Sequence, residues 1–167
     1  MVSEQLAVSG TRVVLGLTSA GRVLESLPLP SLVVAESAVR DEGASYHYLP
    51  PGETVTAPPM INEHLIAELG TLELPVRCGR VWTTDAPYRE TREQLEAHAR
   101  QNVLAVEMQA ASLFAFAKAR GVVTGVVAHV TNGIDQTDSE FYKGPEQFGL
   151  ELYRAMCRAA AHFLSSQ

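Results

Sequence analysis

The residues of this chain best suited to chemistry fall into a few short clusters. The run Val126-Val127-Ala128-His129-Val130-Thr131-Asn132 ends in an amide. That end is the C-terminal end of a predicted strand, where open α/β sheets bind ligands. A neutral amide there donates and accepts hydrogen bonds but cannot act as a general acid. Thr18-Ser19-Ala20-Gly21 gathers two hydroxyls before a glycine at the close of an apolar run, and by itself it reads as a tight turn. Glu107-Met108-Gln109 sets a carboxylate, a thioether and an amide side by side, and Met108 alone reads as a core residue. His47, His64, His98, His129 and His162 lack the HxxxH or HExxH spacing of a metal site, so no metal is assigned. His47, on a predicted loop, reads as solvated. Cys78 and Cys157 form neither a CxxC pair nor a cluster with histidine, and both read as small buried apolar residues.

The elements that must position these groups alternate in type, which points to an α/β sheet flanked by helices. Arg12 to Leu17, Ser31 to Arg40, Val76 to Thr84 and Val122 to Thr131 are apolar, β-branched runs and read as strands. The last is apolar enough for a central parallel strand covered on both faces. Helical spacing marks Met60 to Leu72, Arg89 to Arg100 and Gln109 to Arg120, the last stopping at Gly121. Phe148, Leu152, Met156, Ala159 and Phe163 recur at close to 3.6 residues, giving a closing helix entered after Gly144-Pro145. Tyr46 to Pro59 contains Pro50-Pro51-Gly52 and Pro58-Pro59 and reads as a loop, because proline lacks the amide donor.

A chain of 167 residues with 46% hydrophobic residues is read as a single domain over 1–167 with a real core. A net charge of −6 with scattered acids provides no basic stripe, so nucleic acid is not expected as a partner. The start Met-Val-Ser-Glu-Gln has no basic segment ahead of an apolar one, and nowhere do eighteen apolar residues run together. The expectation is a cytoplasmic protein with no membrane partner.

The stretch Val33 to Pro51 resembles the mid-chain segment of uridine phosphorylase relatives. It is followed in order by Trp82-Thr83-Thr84-Asp85-Ala86-Pro87-Tyr88-Arg89-Glu90-Thr91 and by Ala105-Val106-Glu107-Met108-Gln109-Ala110-Ala111, which resembles a "VEMEAA" signature. With the Val126 to Asn132 run, these motifs resemble the nucleoside phosphorylases of the purine/uridine phosphorylase superfamily. The resemblance spans Gly16 to Phe163 and corresponds to the C-terminal two-thirds of a family member. It implies a central mixed, mostly parallel sheet flanked by helices and truncated at its N-terminus.

The activity that the resemblance implies is phosphorolysis of a nucleoside N-glycosidic bond through an oxocarbenium-like state, with inorganic phosphate as co-substrate and no cofactor. Thr18 and Ser19 then face phosphate. Ala20, Gly21, Pro87, Tyr88, Glu107, Met108, Gln109 and Asn132 hold the nucleoside, and Gln109 and Asn132 are the catalytic pair. The family's phosphate-binding arginine falls on Gly16, where Arg12 or Arg22 is the candidate substitute. Its second glutamate falls on Gln109, which can grip a diol but cannot offer anionic charge to the oxocarbenium. Asn132 falls where purine-specific members carry an aspartate, which leans the base preference towards uridine. The uracil-reading positions fall near Thr91 and Glu93 and do not match, and Pro87 replaces the aromatic that stacks on the base.

Two alternatives stand beside phosphorolysis: a nucleosidase of the same fold using water, and a catalytically silent, truncated relative acting through assembly. A doubly wound sheet lacking its first strands exposes an unpaired edge and apolar surface. Another subunit, a separately encoded N-terminal half or an upstream extension would cover that surface; the resemblance implies a dimer-based homo-oligomer, such as a hexamer built as a trimer of dimers, so self-association is expected.

Overall fold

Valine, leucine and alanine dominate the segments that pair, and their alternation assigns the two faces of the sheet. A computed structural model describes residues 2–133 and 147–166. Its strands are β1 (Val13–Arg22), β2 (Ser31–Asp41), β3 (Thr54–Thr56), β4 (Val76–Thr84), β5 (Val103–Glu107) and β6 (Val123–Gly133). Its helices are α1 (Val2–Val8), α2 (Pro59–Leu69), α3 (Arg92–Arg100), α4 (Ala110–Arg120) and α5 (Phe148–Ser165).

The sheet runs β3-β2-β4-β5-β1-β6, and a further β2–β6 pairing bends it back on itself. The pairs β1–β6, β2–β4 and β4–β5 are parallel, whereas β1–β5, β2–β3 and β2–β6 are antiparallel. The fold is thus the expected mixed, mostly parallel α/β sheet, but closed rather than open. Strand β5 engages only Gly21 and Arg22 of β1, so the remaining flank of β1 has no strand partner among the described residues.

Successive residues of β2 point to opposite faces, and both faces are covered. Val33 and Ala35 join Phe114, Ala110 and Ala111 of α4 on one side. Leu32 and Val34 join Ile61, Leu65 and Leu69 of α2 and Leu152, Met156 and Phe163 of α5 on the other. Each fully buried side chain such as Leu65 or Phe114 contributes about 1.5–3 kcal/mol of apolar burial. A smaller cluster packs Trp82 and Val106 against Leu95 of α3.

Local signals set several boundaries. Proline at the first turn starts α2. Thr91 and Gln94 form a reciprocal capping box on α3, so this helix begins at Arg92, after a separate 3-10 turn at Pro87–Arg89. Gly121 ends α4 in the left-handed region at φ 67°.

Other expectations are corrected. Thr18-Ser19-Ala20-Gly21 is the second half of β1 and not a turn, because each residue finds a partner on β6. The proline-rich segment before α2 contains β3 and a 3-10 turn at Ala44–His47. Strand β5 and helix α1 were not expected. Cys78 and Cys157 are exposed rather than buried, the former on the outer stretch of β4 and the latter on α5. The Gly144-Pro145 entry to α5 lies outside the described residues. Among the described residues, no helix is long and apolar enough to cross a membrane.

Candidate active site

The site is assembled around Gly21. This residue sits between two strands, in register with Val106 of antiparallel β5 on one side and with Asn132 of parallel β6 on the other. A register shift after Ala20 lets β6 accommodate one extra residue, which brings Asn132 rather than Thr131 opposite Gly21. Parallel pairing of β4 with β5 sets Thr83 beside Glu107, and the chain leaving β4 carries Pro87 and Glu90 over the same end. The result is a crevice of about 270 Å³ lined by Ser19, Ala20, Gly21, Pro87, Glu90, Val106, Glu107, Met108 and Asn132. That volume lies at the lower end of the ~300–1,000 Å³ typical of small-molecule sites.

Glu107 is only 3% exposed. Its carboxylate accepts from Thr83 Oγ1 at 2.5 Å, from the Gln109 amide at 2.6 Å and from the Ala110 amide at 3.0 Å. It therefore anchors the N-terminus of α4, where an anion is favoured by the helix dipole. Burial nevertheless raises its pKa above the ordinary glutamate value; the hydrogen bonds from Thr83, Gln109 and Ala110 oppose that shift, and nearby Glu42 reinforces it. Met108, next in sequence, turns outward and is 53% exposed at the crevice.

Three residues expected in the site do not line the crevice. Thr18 is buried because alternation along β1 turns it to the opposite face from Ser19. Tyr88, in the 3-10 turn, is 99% exposed. Gln109 occupies the N-cap position of α4 and is exposed, with its Oε1 3.6 Å from where a Cβ on Gly16 would stand. That same Cβ would lie 2.9 Å from Leu113 Cδ1 of α4 and 3.3 Å from Val126 Cγ2 of β6, so side chains of both elements crowd the position. Neither candidate substitute reaches the crevice. Arg22 donates through Nη1 to the Leu27 carbonyl at 3.3 Å, and Arg12 is exposed at the start of β1. Among the described residues, no lysine or arginine lines the crevice. His47 is exposed in its 3-10 turn away from the site, and the ring of His129 packs at 5.2 Å from Phe148.

The model of the phosphorylase superfamily matches residues 1–166. The chain belongs to the phosphorylase superfamily. Among superfamily members, it is 29% identical over 135 residues to the guanosine phosphorylase of Halorubrum lacusprofundi, covering 78% of this chain and 54% of that protein. It is 30% identical over 135 residues to a DeoD-type purine nucleoside phosphorylase of Dichelobacter nodosus, covering 78% and 56% respectively. The chain thus spans just over half the length of these relatives. A solved structure described as the P knowlesi homolog of P falciparum PNP superposes with a TM-score of 0.81 at 22% identity, over 97% of this chain and 66% of that one. That likeness establishes the fold.

Within this superfamily fold, Glu90 is the lining residue that the sequence motifs did not single out. Burial raises its pKa above the ordinary value, and among the described residues no hydrogen bond or ion pair holds its carboxylate. No periodicity or glycine marks it; only its place three residues after Pro87 in a turn that closes over the crevice could have drawn attention to it. The other polar groups of the crevice are the Ser19 hydroxyl, the Asn132 amide and the engaged Glu107. Together they can hold a polar, uncharged ligand through hydrogen bonds while Met108, Pro87 and Val106 cover its flat faces.

Proposed function

We propose that the chain holds a purine nucleoside in this crevice and cleaves its N-glycosidic bond by phosphorolysis. One observation carries the reading: the double register of Gly21 with Val106 and Asn132 gathers Ser19, Glu107, Met108, Asn132 and Pro87 into a single concavity. In this reading Ser19 offers a hydroxyl and its amide to phosphate, and Met108 packs on the ribose. Glu107 holds the start of α4 in place, which fixes Met108 at the mouth of the crevice. Asn132 hydrogen-bonds the departing base and stabilises its developing charge without donating a proton. The named relatives are a guanosine phosphorylase and a purine nucleoside phosphorylase, so the base preference moves from uridine-like to purine.

Hydrolysis is the second reading, favoured because no lysine or arginine lines the crevice among the described residues. Release of free base from guanosine, inosine, adenosine and uridine, each in phosphate, arsenate and phosphate-free buffer, separates the two. Phosphorolysis predicts release that depends on phosphate or arsenate and appearance of ribose 1-phosphate. Equal rates without either anion would overturn phosphorolysis in favour of hydrolysis, and no release in any buffer would leave neither chemistry standing.

The same reading extends to a dimer-based homo-oligomer. The unpaired flank of β1, with Leu17 41% exposed, and the exposed Tyr88 ring beside Pro87 are surfaces that association would cover. Light scattering behind size exclusion tests it, and a monomer at micromolar concentration would contradict it.

A further inference from the structure

We propose that a second cleft, separate from the crevice, binds a small organic ammonium ion through Glu36, Glu63 and Asn62. The cleft has a volume of about 520 Å³ and lies where the first turns of α2 meet the β3-β2-β4 edge of the sheet. It falls within the ~300–1,000 Å³ of small-molecule sites and shares no lining residue with the crevice. Two local features build it. Ala35 pairs with Gly79 and Ser37 with Arg80, so Glu36 is an extra residue without a partner on β4, a bulge that frees its carboxylate for the cleft. Cys78 Sγ donates to Glu36 Oε2 at 3.8 Å, and Oε1 has no donor among the described residues. The Cys78 pKa is raised, first by burial and then by Glu36, so the thiol stays a protonated donor. Asn62 forms the floor of the cleft and is only 5% exposed. Its Nδ2 donates to the Ala35 carbonyl at 3.1 Å, whereas its Oδ1 is buried and has no donor among the described residues. A buried acceptor left without a donor is costly, and it marks where a ligand N–H belongs.

Charge selects the sign of the ligand. Glu36 and Glu63 bring two carboxylates, and among the described residues no lysine or arginine lines the cleft or forms an ion pair with either of them. The N-terminus of α2 opposes them with only about half a positive charge. An ammonium carries three donors and no acceptor, which suits a wall made of acceptors. Ala57, Pro59 and Ile66 supply apolar surface for an attached alkyl chain. The ligand class is therefore an alkyl amine, and a short diamine can meet both carboxylates at once.

The test is an NMR titration of the isotopically labelled protein at low ionic strength with 1,4-diaminobutane, n-butylammonium and uncharged 1-butanol. Both amines should move the backbone amides of Ser37 and Cys78 and the side-chain amide of Asn62 with a single dissociation constant. The diamine should bind more tightly than the monoamine, 1-butanol should leave these signals in place, and the crevice amides of Ser19 and Asn132 should not shift. Glu36→Gln and Glu63→Gln, both at exposed positions, should each weaken diamine binding by about two- to fivefold and leave the urea midpoint within the error of wild type. Equal shifts with 1-butanol, unaltered affinity in the double variant, or no movement of Asn62 at tens of millimolar amine would each overturn the proposal. The purine-nucleoside reading of the crevice stands or falls separately.

Discussion

Thr83 Oγ1 donates to Glu107 Oε1 at 2.5 Å across the parallel β4–β5 pair, and the same hydroxyl oxygen accepts from the Ala111 amide at 3.0 Å. A single threonine therefore ties the end of one strand, the carboxylate ending the next and the first turn of α4 into one unit beneath the crevice.

Replacing Thr83 by valine keeps the shape and deletes the hydroxyl, leaving the buried Ala111 amide without its partner. The expected loss is about 1–3 kcal/mol in urea unfolding, the usual penalty for an orphaned buried polar group. A change below about 0.5 kcal/mol, the ordinary scatter of neutral substitutions, would show that the hydroxyl does not hold these elements together.

Glu107 contributes a pH dependence with a definite sign. Its folded-state pKa is raised above the ordinary 4.5, first by burial. The folded chain thus binds its proton more tightly than the unfolded chain does. The associated stability is fully present below the unfolded-state value and is lost as pH rises through the folded-state value. Glu107→Gln has no carboxyl to titrate, so it should gain on wild type across that window. Urea midpoints of both proteins measured from acid to neutral pH check this, and parallel curves would refute it.

Gly16 is fitted to its neighbours. Its missing Cβ would lie 2.9 Å from Leu113 Cδ1, the tip of a flexible side chain, so Gly16→Ala should destabilise by about 1 kcal/mol, the low end of overpacking. Shortening Leu113 to alanine in the same chain should recover part of that loss, because the clashing atom is the far end of that side chain. Additive losses in the double variant would mean that the close approach of α4 to β1 is not what selects glycine here.

Ser19 and Asn132 line the crevice from adjacent strands and should fail differently. Ser19→Ala is expected to raise KM for phosphate with little effect on the nucleoside. Asn132→Ala should lower kcat/KM for the nucleoside by about 10²–10³, as deleting one donor from a charge-stabilising site does. Steady-state kinetics with each substrate varied in turn distinguish the two, and the same pattern in both variants would contradict the division of roles.

Much of the architecture was legible from periodicity. Val76–Thr84 has the bounds its apolar run suggested, and α4 stops at Gly121 because φ 67° suits glycine there. What was not legible depends on partners distant in sequence. Thr18 to Gly21 carries turn-forming residues, yet pairing with Ala128 to Asn132 holds it as strand, so tertiary context overrides local preference. Strand β5 is five residues long and stands directly before α4, too short for its own period to register. The closure of the sheet by β2–β6 pairing leaves no local trace at all.

The site was legible where motifs carried it and blurred where side-chain direction decided. Ser19, Ala20, Gly21, Pro87, Glu107, Met108 and Asn132 meet in one crevice. Thr18 and Gln109 stand next to lining residues in sequence but turn away from it, Thr18 by strand alternation and Gln109 by its place as a helix cap. Glu90 was missed because its place at the crevice depends on where a turn folds over the sheet.

The most direct test of convergence is an amide NMR titration of the isotopically labelled protein with guanosine. The account predicts that the amides of Ser19, Val106, Met108 and Asn132 shift together and fit a single dissociation constant. Shifts confined to one of these segments, or none at saturating nucleoside, would contradict it.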